Sequence, residues 1–378
     1  MKLFQCQHCG QPLFFENTRC ESCGRELGYL PARETMTALE PAGGGTFRAL
    51  AEPKGRYRYC DNAQHRVCNW LVPDGGDLYC AACRHNRIIP DLSQDENLVH
   101  WRKIEGAKHR LFYMLLRLRL PRTTRVEDPD KGLAFDFLSD EPGPVPVMTG
   151  HANGLITINL AEADDAERER RRGEMGEPYR TLVGHFRHEI AHYYWDHLVA
   201  NSPTLDSFRA IFGDERPDYA EALKRHYQNG PPVDWPTRFI TAYASAHPWE
   251  DFAETWAHYF HMVDTLETAG AFGLHVTPKL PGTADLSSRV DFDAYRAPLN
   301  SLIDAWLPLT FAVNSINRSM GLPDLYPFVL TPAVIVKLGF VHQRIRARDS
   351  PEAEGTRGAV LRAMIASLKR QVGSHSAT

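Results

Sequence analysis

Thr181–Leu198 reads TLVGHFRHEIAHYYWDHL and contains His188-Glu189-Ile190-Ala191-His192, two histidines four residues apart with a glutamate beside the first. Leu182, Val183, Phe186, Ile190, Tyr193, Tyr194 and Leu198 wrap most of the segment at helical spacing, so it is expected to be a buried helix. Residues four apart lie one above the other on a helix, which aims both imidazoles at one point. Two neutral imidazoles suit Zn²⁺, and a carboxylate beside them can take a proton from a zinc-activated water. The competing reading is a surface helix that carries two histidines by chance. It fits poorly, because buried His and Glu need partners. The segment predicts metal-dependent hydrolysis, with His188 and His192 as ligands and Glu189 as general base.

A catalytic zinc of this kind needs a third protein ligand and one open position. The metzincin solution would put Gly at 195 and His at 198. Trp195 and Leu198 stand there, which excludes it. The second candidate segment is His247–His261, HPWEDFAETWAHYFH, where Pro248 fits the first turn of a helix. Glu250, Glu254, His258 and His261 form one polar stripe on a helix otherwise rich in Trp249, Phe252, Trp256 and Phe260. Such a stripe is ordinarily a solvated face. Made only of carboxylates and imidazoles, and downstream of an H-E-x-x-H, it reads as part of a site. Glu250 is the expected third ligand. Glu254, one turn on, is expected to orient a ligating His. His258 is the alternative ligand, or otherwise a supporting residue beside the site.

An H-E-x-x-H followed tens of residues later by a helical Glu-x-x-x-Asp/Glu resembles the gluzincins, the thermolysin-like zinc peptidases. The form EDFAE is especially similar to the lethal-factor type, in which the first Glu of the pair is the ligand. A Tyr seven residues before that ligand there helps stabilise the oxyanion, and Tyr243 occupies that offset. His247, just before the helix, is the alternative donor. More closely, RHEIAHYYWDHL with HPWEDFAETWAHY resembles a bacterial zinc-binding metallopeptidase family that carries a zinc-ribbon region ahead of its peptidase domain. The resemblance spans nearly the whole chain. It implies a zincin-like fold and hydrolysis of a peptide or protein substrate. One departure is Glu254, where thermolysin-type enzymes have Asp.

All eight cysteines fall before residue 84. Cys6, Cys9, Cys20 and Cys23 form two C-x2-C knuckles, the pattern of a four-thiolate zinc ribbon. Cys60, Cys68, Cys80 and Cys83 make a second quartet with a less regular first pair, for which His65 is a possible substitute. Met1-Lys2-Leu3-Phe4 runs straight into Gln5 and Cys6 without the pattern of a secretory leader. That favours a reducing, cytoplasmic setting and metal binding over disulfides. Four thiolates close a zinc shell, so both of these zincs are expected to be structural and a third to be catalytic.

The chain has 378 residues, 43% hydrophobic and 24% charged, with net charge −4, as expected of a globular protein. The best apolar run, Phe328–Phe340, is broken by Pro332 and Lys337, so no membrane span is expected. Residues 1–90 hold 11 Lys and Arg against 9 Asp and Glu, too balanced for a phosphate-tracking surface, and a nucleic-acid partner is not expected. The zinc modules are more suited to docking a protein partner, presenting substrate or covering a cleft.

The expected class is α+β: a mostly helical zincin-like metallopeptidase domain with a small sheet, preceded by small zinc-ribbon β modules. The expected boundaries are a ribbon at 1–30, a connector at 31–53 and a second four-cysteine zinc module at 54–92. The peptidase domain follows at 93–348, then a C-terminal linker and peripheral helix at 349–378. His151–Leu160, HANGLITINL, alternates apolar and polar residues and reads as a strand. By position it is either a sheet edge that pairs with extended substrate or a plain structural strand. Two other functions stay open on sequence. One is a zinc-ribbon adaptor or nucleic-acid-binding regulator with the zincin domain as scaffold. The other is a zinc amidohydrolase acting on small amides.

Overall fold

The computed structural model describes residues 1–140, 147–279 and 286–347. The turn expected at Pro142–Pro146 and the segment 349–378 lie outside the described residues. The chain forms two compact units, Met1–Phe186 with Glu267–Leu274, and Arg187–Leu266 with His275 onward. The fold is mixed, with a cysteine-rich ribbon-like N-terminal region and a helical C-terminal part.

In the first unit, β1 (Phe4–Gln5) pairs with β2 (Pro12–Leu13) around the first knuckle. Both knuckles close in the same way: Gly10 N–H donates to Cys6 O and Gly24 N–H to Cys20 O. Each of these glycines has a left-handed φ, +77° and +72°, which lets the chain reverse directly after the second cysteine of each pair. An antiparallel meander follows, made of β3 (Leu27–Leu30), β4 (Thr35–Gly43), β5 (Thr46–Ala49), β6 (Glu52–Tyr59) and β7 (Leu71–Pro73). Residues 31–53, expected to be a connector, supply two of these strands and the start of a third. Leu39 and Ala49 point into the same apolar core as Leu30, Tyr57 and Leu71, so this stretch is structural in its own right.

A second sheet has the order β10-β11-β9-β8, from β8 (Asn86–Ile88), β9 (Ala134–Leu138), β10 (Gly150–Ala152) and β11 (Leu155–Asn159). β8 and β11 both run parallel to β9, and β10 is antiparallel to β11. The single strand expected over His151–Leu160 is therefore a hairpin that turns at Asn153-Gly154. Leu155–Thr157 is paired on both sides, by β10 and β9, so the outer strand of this sheet is β10.

Helix α1 (Asp95–Arg117) lies across this unit, with Trp101, Ile104, Leu111, Phe112 and Tyr113 fully buried. Tyr113 packs on Phe15, and Phe15 and Trp70 both pack on Tyr29, giving one aromatic core from residues far apart in sequence. Helix α2 (Asp165–Met175) is capped by Asp164, whose side chain accepts from Ala166 and Glu167 N–H.

The second unit is built from the body of α3 (Leu182–Leu198), α4 (Leu205–Phe212), α5 (Tyr219–Asn229), α6 (Trp235–Arg238), α7 (Pro248–Ala271), α8 (Leu299–Ser319) and α9 (Pro332–Arg346). Its core is aromatic. Tyr194 stacks on Trp256, Trp195 meets Trp249 and Phe208, and Phe212 meets Phe252 and Phe340. Buried Lys337 on α9 donates to Asp251 Oδ2 at 2.6 Å and to Arg238 O at 2.7 Å, which ties α9 to the first turn of α7. Among the described residues no helix is long and apolar enough to cross a membrane.

Candidate metal centre and active site

Two helices bring the candidate site together. Thr181 opens α3 by accepting Gly184 N–H at 3.0 Å, and the helix then carries His188 and Glu189 on one turn and His192 on the next. α7 starts at Pro248, where proline's fixed φ suits the first helical position. Its first turn carries Glu250, and its second Glu254.

His188, His192 and Glu250 converge so that their ligand atoms all lie within 4.8 Å of one another. The imidazole Nε2 atoms are 3.3 Å apart, and His188 Nε2 is 3.0 Å from Glu250 Oε2. Tetrahedral bonds of about 2.0–2.1 Å to nitrogen and oxygen give ligand–ligand edges of about 3.3 Å, so the trio fits one zinc ion. The donor chemistry agrees. His188 Nδ1 lies 2.7 Å from Glu254 Oε1, and a carboxylate can only accept, so Nδ1 carries the hydrogen. In a neutral ring Nε2 then presents a lone pair to another carboxylate oxygen. Only a cation between them, or a second proton on the ring, makes that arrangement favourable. Burial alone would lower the His188 pKa, but Glu250 and Glu254 hold it well above the ordinary range.

The rest of the site is buried and polarised. Burial pushes the His192 pKa down to about 4. Glu250 is held down at about 2: burial opposes this, and the charges of His192 and His188 with the hydroxyl of Tyr219 outweigh it. Burial pushes Glu189 up to about 7, with the Glu250 and Glu254 charges adding to it against the pull of His188.

Tyr219 carried no role in the sequence reading. At the first position of α5, which Asp218 caps, it donates to Glu250 Oε1 at 2.6 Å; Oε2 faces His188 Nε2, and His192 Nε2 lies 3.7 Å from Oε1. Tyr243 stands beside it. Its ring centroid is 6.0 Å from that of His188. Burial, then the charge of Glu250, raises the Tyr243 pKa far above the ordinary value and keeps the group a donor.

Two other expected residues are engaged elsewhere. His247 Nδ1 accepts Trp249 N–H at 3.1 Å, so Nε2 carries the hydrogen and faces Pro217 O at 3.3 Å. The ring caps α7, and neither nitrogen is left over for an oxyanion. His258 does not join the trio. Its Nδ1 meets the Tyr326 hydroxyl at 2.8 Å and its ring packs on Phe328, although its charge contributes to the environment of Glu254. The stripe expected on α7 is buried at both Glu250 and His258 and is not a solvated face.

Both cysteine quartets are assembled, each with its sulfurs within 4.8 Å of one another. Cys6–Cys23, Cys9–Cys20 and Cys68–Cys80 sulfurs are 3.8, 3.6 and 3.8 Å apart. Zinc–sulfur bonds of about 2.3 Å give tetrahedral edges of about 3.8 Å, so the spacing fits zinc. His65 is absent from the second quartet; its ring packs on Trp101.

Residues 97–344 match the family described as "Putative zinc-binding metallo-peptidase", and residues 3–94 match a zinc-ribbon domain. Proteins of Mycobacterium tuberculosis and Mycobacterium bovis, each described as uncharacterized, are 44% identical to this chain over 346 residues, covering 90% of it and 94% of each relative. No solved structure matches.

Proposed function

The chain belongs to the zinc-binding metallo-peptidase family, and on that premise we propose that it is a gluzincin-type peptidase cleaving peptide bonds in a peptide or protein substrate. The observation that carries the proposal is the convergence of the His188 and His192 imidazoles and the Glu250 carboxylate beside the buried carboxyl of Glu189. Those three residues would hold zinc, and Glu254 orients His188 toward it. When bound there, zinc supplies a Lewis acid that activates water and polarises the scissile carbonyl.

Glu189 does the proton transfer. As a buried carboxylate beside the proposed zinc ligands, it accepts the proton of the attacking water and then delivers it to the leaving amine nitrogen. Tyr243, kept protonated, donates to the carbonyl oxygen as that oxygen gains charge. Tyr219 acts through Glu250, holding its carboxylate in the ligating pose. The two quartets would each hold one structural zinc. A set of eight cysteines serving as metal ligands also suits a cytoplasmic protein, where thiols stay reduced.

Metal analysis of the wild-type chain should return three zinc ions, and of His188→Ala two. Glu189→Gln should keep all three and cleave casein or a peptide library about 10²- to 10⁴-fold more slowly. Equal zinc in wild type and His188→Ala would remove the site, and undiminished cleavage by Glu189→Gln would remove the mechanism.

A further inference from the structure

Helix α1 presents a buried polar face to the second cysteine quartet. His109 Nε2 is 3.3 Å from Cys68 Sγ, 3.7 Å from Cys83 Sγ and 4.0 Å from Cys80 Sγ, so it caps the face formed by these three sulfurs. The ring is fixed from its other side, where Nδ1 lies 2.7 Å from Glu105 O. A carbonyl only accepts, so Nδ1 is the donor there. Trp70, from the ribbon region, packs on the ring with centroids 5.0 Å apart.

Around this contact is a fully enclosed network. Glu105 and Lys108 have no exposed surface, and Lys108 donates to Glu105 Oε1 at 2.9 Å. Asn86, in the strand that leaves the quartet, donates to the same oxygen at 2.6 Å, and Trp101 Nε1 does so at 3.2 Å. Buried polar groups persist when every member is satisfied, and this set closes only with α1 seated against the quartet.

We propose that the second zinc centre is a joint between the ribbon and α1, in which His109, as an imidazolium with hydrogen on both ring nitrogens, donates from Nδ1 to Glu105 O and from Nε2 to the Cys68 thiolate. Four thiolates already fill a zinc shell, so the histidine acts as a positioning residue outside it. Metal-bound thiolates remain strong acceptors. A donor held at 3.3 Å therefore both steadies the ligand and fastens the helix. The second zinc thereby governs whether the first helix of the peptidase-family region is seated. The inference rests on the proposal that Cys60, Cys68, Cys80 and Cys83 hold zinc.

The test uses the full-length chain with zinc release to a colorimetric chelator, native mass spectrometry and amide hydrogen exchange. The first quartet, with its exposed Cys9, should yield its metal before the second, whose four cysteines are buried. In His109→Leu, which keeps bulk and removes the donor, the second-quartet zinc should leave at least ~10-fold faster while the first leaves at the wild-type rate. In the wild-type chain, without any substitution, chelation of the second zinc should raise amide exchange across residues 105–115 at least ~10-fold. Wild-type release of that zinc from His109→Leu would overturn the joint. So would protection of 105–115 that survives zinc loss in wild type, a measurement that holds even if the leucine variant does not fold. A wild-type chain that carries no metal on the second quartet would instead defeat the underlying zinc assignment.

Discussion

Glu250 has a different task for each of its two oxygens. Oε2 faces His188 Nε2, and Oε1 receives the Tyr219 hydroxyl and lies 3.7 Å from His192 Nε2, so the hydroxyl holds the orientation of the carboxylate. Tyr219→Phe should leave the fold intact and weaken metal at this site about 10- to 100-fold, read by chelator competition against the wild-type chain. Unchanged affinity would show that the hydroxyl does not position the ligand. Glu254 was legible in the sequence because one helical turn separates it from Glu250, so a single periodicity placed both. Tyr219 was not. It lies on a different helix 31 residues upstream, and its role comes from a contact that no local spacing encodes.

At the scale of the element, α7 depends on how it begins. Pro248 supplies the first position, and the His247 ring takes the place usually held by a Ser, Thr, Asp or Asn side chain, satisfying Trp249 N–H. His247→Ala should lower stability by about 1 kcal/mol, seen as a lower denaturant midpoint, with the zinc content preserved. Loss of the catalytic-site zinc with unchanged stability would contradict the capping role. The same contrast separates what was expected of residues 31–53 from what they form. Gly43-Gly44-Gly45 and the flanking prolines suggested a connector, yet the glycines make only the tight turn between β4 and β5. Alternation in Met36, Ala38 and Leu39 is too imperfect to mark a strand until neighbouring strands cover it.

For the molecule as a whole, one contribution to acid stability comes from a buried carboxylate outside the His188, His192 and Glu250 cluster. In the first unit, Glu162 lies 2.5 Å from an Arg180 nitrogen, 3.3 Å from Arg171 and 3.2 Å from His185 Nε2. Burial would raise its pKa, but His185 and Arg180 hold it down at about 2 against an ordinary 4.5. A depressed carboxylate stabilises the fold fully above its unfolded pKa and loses that contribution as pH falls through the folded one. Glu162→Gln should therefore be less stable by roughly 3 kcal/mol at neutral pH. The gap should close between about pH 4.5 and 2 in acid unfolding followed by circular dichroism; a pH-independent gap would exclude this linkage. By itself the sequence determined the chemistry-bearing sets, because H-E-x-x-H, E-x-x-x-E and paired C-x2-C motifs are local and a helix or knuckle aligns them without help. It also determined the mixed class and most helices, whose apolar faces repeat at a regular interval. Only the tertiary structure decided which distant carboxylate meets the two imidazoles, that Tyr219 fixes it, that His247 serves the helix and that His109 closes on the second quartet. Each of those depends on packing between residues far apart in the chain, where burial and partner geometry, not spacing, set the outcome.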